Sequence, residues 1–161
     1  MESGTTYIVQ FVGFKTDLEE SDFIKSWMPF ASSFKSSGID TIDLYAVDGN
    51  ENINFISRNI WEEQNYFKNF PTGIAGSGGG GGISVIQFGG YRLEANQLDR
   101  KDEMRLAFIP DPIEVHDTKT VSRLSVSDKG TYRQFLEITE PHTLDMPHNA
   151  LELTCNHVMT I

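Results

Sequence analysis

The sequence predicts an α+β fold, an antiparallel sheet with helices on one face, followed by a β-rich C-terminal extension. Three observations carry this expectation. Residues 7–14 form an almost wholly apolar run rich in β-formers, as expected of a strand buried on both faces. Phe23, Trp27, Phe30 and Phe34 fall on one stripe at helical spacing. Residues 40–47 alternate, with Ile42, Leu44 and Ala46 on one face, and end on the turn signal Asp48-Gly49-Asn50.

Taken in order, the first strand (residues 7–14) leads to Thr16-Asp17-Leu18-Glu19, which has capping-box spacing, with Ser21 as a second N-cap candidate. Pro29 interrupts the helical stripe, so a bent helix, or a second half starting near Met28, is expected. Ser36, Ser37 and Gly38 end it. The alternating strand at 40–47, with one covered face, pairs back through its turn with a strand at 53–58. Asn59 is a good N-cap, so a second helix is expected from there to Pro71, with Ile60, Tyr66, Phe67 and Phe70 on one arc and Trp61 nearly opposite. A tryptophan on the back of that helix needs a second surface. Residues 83–94 form a long strand in which Gly89-Gly90 suggest a bulge. The order β-α-β-β-α-β is the ferredoxin-like split βαβ pattern, assigned to residues 1–97. Its open sheet face needs cover, which a second subunit commonly supplies.

Residues 98–161 form the extension, expected to dock on the first domain because some sixty residues make a marginal independent core. Strands are expected at 104–109, 121–126 and 151–161, while 132–139 fits neither period cleanly.

The composition narrows the functional classes. The 161 residues are 39% hydrophobic and 11% aromatic, enough for a packed core. A net charge of −10 repels phosphate backbones and anionic headgroups, so nucleic acid is not an expected partner. No apolar run approaches the ~20 residues of a membrane span. Residues 1–6 show no signal-peptide pattern, and the single cysteine, Cys155, cannot form an intrachain disulfide, so a cytoplasmic protein is expected. The plain reading of Cys155 is a small buried residue on a strand.

Several residues could carry chemistry. Gln10 and Gln87 are polar within apolar strands and could reach into a pocket, joined by Arg58, Arg92 and Tyr91, with Trp27 and Trp61 as apolar walls. The plainer alternative is ordinary sheet-edge hydrogen bonding or core packing. The glycine run Gly78, Gly79, Gly80, Gly81 and Gly82 could form an anion nest, but it has no P-loop lysine and leads into a strand, so a flexible loop is the better reading. His142, His148 and His157 are permissible metal ligands without the spacing of a zinc motif. No cofactor is expected.

Residues 5–95 resemble the dimeric α+β barrel superfamily, in particular the antibiotic-biosynthesis-monooxygenase-like domains. The resemblance rests on the first strand, on Phe23-Ile24-Lys25-Ser26-Trp27 opening the first helix, and on the string from Phe55 to Phe67 with its early Trp61. It implies a homodimer with sheets packed face to face and a pocket between each sheet and its helices. Members include cofactor-independent monooxygenases, haem-degrading enzymes and many domains with no known activity. The histidine that often follows the second helix is absent; Pro71-Thr72-Gly73 stands there. The expected function is therefore binding of a small apolar or aromatic molecule between sheet and helices. The alternatives are a cofactor-independent monooxygenase-like enzyme and a metal- or haem-associated protein using the C-terminal histidines.

Overall fold

The computed structural model describes residues 4–66, 68, 82–94, 102–109, 120–124, 134–138 and 148–161; for 86–91, 93–94, 120–124 and 134–138 it describes the backbone and its pairing. Strand β1 (Thr6–Thr16) is followed by helix α1 (Glu20–Ser36), then β2 (Ile39–Asp48), β3 (Phe55–Glu62), β4 (Ile83–Glu94), β5 (Glu103–Ile109), β6 (Thr120–Leu124), β7 (Gln134–Ile138) and β8 (Leu151–Thr160). All eight strands form one antiparallel sheet in the order β4-β1-β3-β2-β8-β5-β7-β6.

The continuous apolar run of β1 is explained by its place between β3 and β4, where it feeds two cores. Tyr7, Val9 and Phe11 enter one; Ile8, Val12 and Phe14 enter the other, under α1. The α1 core is aromatic: Phe23 stacks on Phe55 with ring centroids 4.1 Å apart and tilts against Phe14 at 5.5 Å.

Helix α1 buries Phe23, Trp27, Ala31 and Phe34, the expected stripe with Ala31 in place of the half-buried Phe30. Acidic Glu20 and Asp22 in the first turn and Lys35 in the last suit the helix dipole. The capping box is not used: Glu19 is the N-cap with no side-chain cap bond, while the Thr16 hydroxyl accepts from the Leu18 amide at 3.1 Å, ahead of the helix. Nor does Pro29 divide the helix, which runs through it unbroken. Pro29 and Lys25, the residue four back whose carbonyl loses its donor, both lie on the exposed side, so the buried stripe stays intact. The C-terminal end is as expected, with Ser37 as C-cap and Gly38 at φ +104°. Asn65 Nδ2 donates to the Gly38 carbonyl at 3.5 Å.

The β2–β3 turn uses Gly49 at φ +60°, and Asn50 Oδ1 accepts from the amides of Asn52 at 2.8 Å and Ile53 at 3.1 Å. Strand β2 is covered on both faces, not one: Ile42 and Leu44 face α1, whereas Asp43 and Tyr45 are buried on the other side.

The main departure lies in β3. The expected second helix does not start at Asn59: the strand continues to Glu62, and the described residues 63–66 and 68 are helical. Pairing on both sides decides this. Gln10 opposes Asn59 and Ile8 opposes Trp61 from β1, while Ile42 opposes Asn59 from β2. Asn59 is thus an interior strand residue, and Trp61 is buried in the core under α1, not on the back of a helix.

Strand β4 has the expected bounds, and its bulge falls at the paired glycines: Gln10 pairs with Gly90 and Phe11 with Phe88, leaving Gly89 as the extra residue. Residues 134–138, which fit neither period, form strand β7.

The C-terminal strands continue the sheet. Strand β8 pairs with β2, and the amide and carbonyl of Ile161 both bond to Ile42, at 2.9 and 3.0 Å. The sheet then curls. Phe108 of β5 meets Phe11 of β1 edge-on at 6.4 Å although three strands separate β1 from β5 in the sheet. Tyr7, Val9, Phe11, Tyr45, Ile56 and Ile60 therefore share one core with Met104, Leu106, Phe108, Leu153 and Cys155. On β1, β2 and β3, the described residues of the face for which a second subunit is the expected cover pack into this core within the single chain.

Candidate functional site

Strand alternation sorts the polar interior into two groups, one on each sheet face. In β3, Phe55 and Trp61 belong to the core under α1, which places Ser57 and Asn59 on that face; Ile56 and Ile60 belong to the concave core, which places Arg58 there.

On the α1 side, Gln10 and Asn59 are opposed in the β1–β3 register, and Trp61 lies two residues further along β3. Directly opposed residues have Cβ atoms roughly 5 Å apart, and successive same-face residues are about 7 Å apart. The three side chains therefore form one compact group. All are buried, at 1%, 0% and 0% exposure. Four of their polar atoms have no hydrogen-bond partner among the described residues: Gln10 Oε1, Asn59 Oδ1, Asn59 Nδ2 and Trp61 Nε1. Buried polar atoms are almost always paired, and each unpaired one costs about 1–3 kcal/mol. Ile8, Val12, Trp27 and Ile42 belong to the same apolar layer, and Tyr66 meets the Trp61 ring edge-on at 6.1 Å. Burial pushes the Tyr66 phenol above its ordinary pKa, so it stays neutral.

On the concave side, Arg58 Nη1 lies 3.5 Å from Asp43 Oδ2, both side chains buried. Thr160 Oγ1 donates to Asp43 Oδ1, His157 Nε2 lies 2.7 Å from Thr160 Oγ1, and the His157 ring sits edge-on to Tyr45. This network joins β3, β2 and β8.

Of the expected pocket residues, Gln10, Trp27 and Trp61 come together in the α1-side layer. Arg58 does not. It is three residues before Trp61, which on a helix would place them close together and on a strand places them on opposite faces. Gln87 and Tyr91 pair with Val12 and Val9, and their side chains lie outside the described residues. Arg92 is exposed and pairs with Glu63 at 2.6 Å. Gly78, Gly79, Gly80 and Gly81 also lie outside the described residues; Gly82 turns into β4 at φ +80°. His142 is likewise outside them, His148 is exposed in a turn, and His157 belongs to the Asp43 network. Among the described residues, no three His, Cys, Asp or Glu side chains gather as a metal site. The Cys155 thiol, fully buried, is pushed up to about 12 by burial and then by the Asp48 carboxylate. A depression of about 200 Å3 lies at the β5–β8 pair, lined by Arg105, Leu106, Glu152, Leu153 and Thr154.

Sequence reasoning reads Asn59 as an N-cap and gives Asp43 and Thr160 no site role, yet all three belong to these groups. The signal for Asn59 was present: Phe55, Ser57, Asn59 and Trp61 alternate with Ile56, Arg58 and Ile60, which is strand spacing. Compared with protein-family models, curated proteins and solved structures, the chain has no match.

Proposed function

We propose that the chain is a binding protein for a small, largely apolar molecule held between the α1-bearing face of the sheet and its helical layer. The observation that carries this reading is the group of four unmatched polar atoms on Gln10, Asn59 and Trp61, enclosed by apolar side chains. A few convergent polar groups in an apolar layer are what a small-molecule site requires. The architecture supports the reading: the first four strands have the order β4-β1-β3-β2, that of a ferredoxin-like β-α-β-β-α-β core, and residues 63–66 begin a helix after β3. Binding is favoured over catalysis because carboxamides and an indole neither accept nor release a proton at neutral pH, and the neighbouring Tyr66 phenol is held neutral. The concave face is closed by β5 and β8, so the homodimer that the barrel resemblance implies would use another surface.

The chain has two tryptophans, Trp27 and Trp61, both in this layer, so its emission reports on the site directly. Saturable, one-site quenching of its emission by 2-naphthol is the expected result. Quenching that rises linearly without saturation would reject the site.

A further inference from the structure

The four unmatched atoms specify a ligand class, an inference that rests on the binding reading above. Asn59 Nδ2 and Trp61 Nε1 are donors; Gln10 Oε1 and Asn59 Oδ1 are acceptors. The set is balanced and uncharged. Among the described residues the buried charges, Asp43 and Arg58, face the other way, so a charged group in this layer would be desolvated without a counter-ion from them. The primary amide of Asn59 offers an acceptor beside a donor in one plane. Its complement is a donor beside an acceptor in one plane, the edge of a lactam or imide. The Trp61 N–H can serve the second lone pair of the ligand carbonyl, and Gln10 Oε1 can take a further N–H or O–H. The remaining ligand surface would meet Ile8, Val12, Trp27 and Ile42, which is apolar and partly aromatic.

We infer that this layer takes a neutral, planar heterocycle with a lactam- or imide-type edge. A site built to bond a ligand's polar edge rejects the analogue that lacks it, because the protein's own groups are then left unpaired. None of the four atoms reaches solvent, so entry requires the packing over them to open, and the hydrogen bonds gained on binding offset that opening.

The test compares three probes of similar size on the full chain by ligand-observed NMR competition: 2-quinolone (a neutral lactam), naphthalene (the same shape without the edge) and 2-naphthoate (a charged analogue). The expected result is 2-quinolone at least tenfold tighter than naphthalene, with 2-naphthoate weakest. Asn59→Leu should abolish the preference, leaving 2-quinolone and naphthalene alike; Trp61→Phe, which removes one donor and keeps an aromatic ring, should reduce it severalfold. Naphthalene binding as well as 2-quinolone to the unmodified chain would overturn the ligand class while leaving the site standing. Tightest binding of 2-naphthoate would overturn the neutrality of the site. Binding of none of the three would overturn the site itself, and the inference with it.

Discussion

Replacing Asn59 by leucine should make the ligand-free protein more stable. The Asn59 amide is fully buried and both of its polar atoms lack a partner among the described residues. Its nearest cross-strand neighbours are Gln10 and Ile42. Burying an amide without hydrogen bonds costs about 1–3 kcal/mol by protein mutational data. Leucine has nearly the shape of asparagine and carries no polar atom, so most of that cost is recovered. For a chain of this size each kcal/mol moves the melting temperature by roughly 2–4 °C, giving a gain of about 2–12 °C if the whole cost is recovered. Urea unfolding of the ligand-free variant, followed by circular dichroism, measures the free energy and checks that the denaturant slope is unchanged. A loss of 1 kcal/mol or more would show that the amide is satisfied in the folded protein, and the argument for a ligand site would fall. A stability gain together with lost discrimination between 2-quinolone and naphthalene is the signature of a position kept polar for binding at the expense of stability.

Four further outcomes are expected. Asp43→Ala strands the Arg58 guanidinium in the concave core and should cost about 3–5 kcal/mol in urea unfolding, whereas Asp43→Leu combined with Arg58→Met should recover most of it. Phe108→Ala removes the edge contact with Phe11 that closes the sheet on itself and should cost about 3–5 kcal/mol. Cys155, with its thiol raised from 9.0 to about 12, should not react with a thiol reagent at pH 8 until the protein unfolds. In the window between those values the unfolded chain has lost the thiol proton and the folded chain keeps it, so stability falls as pH rises, by up to about 1.4 kcal/mol per unit from this group, and Cys155→Ala should remove that part of the slope.

Elements whose signals were local were legible in the sequence. The α1 stripe, the Gly49 turn, the bounds of β4 and the bulge at Gly89-Gly90 follow from periodicity and glycine placement. Strand β3 was not legible beyond Arg58, because Asn59 has the chemistry of an N-cap and Ile60, Tyr66, Phe67 and Phe70 fit a helical arc. Pairing with β1 on one side and β2 on the other settles it, and that is tertiary information. The consequence for the site is direct. With the strand running on through Trp61, Arg58 joins Asp43 on the concave face and Trp61 joins Gln10 under α1. Gln10 was visible as a polar residue in an apolar strand, but its partner in the site, Asn59, was hidden behind its capping role. Cover of the concave face was also out of reach, since nothing local in Phe108 or Leu153 says that the sheet curls back over Phe11.

The most direct test is the indole N–H of Trp61, one of only two in the chain and assignable with Trp27→Phe. In a 15N-correlated NMR spectrum of the ligand-free protein this proton should resonate at the upfield position of an unbonded indole. Adding 2-quinolone should move it downfield in a saturable manner, as a hydrogen bond to the lactam carbonyl forms. A Trp61 signal already at a bonded position, or one unmoved while 2-quinolone binds elsewhere, would contradict the account.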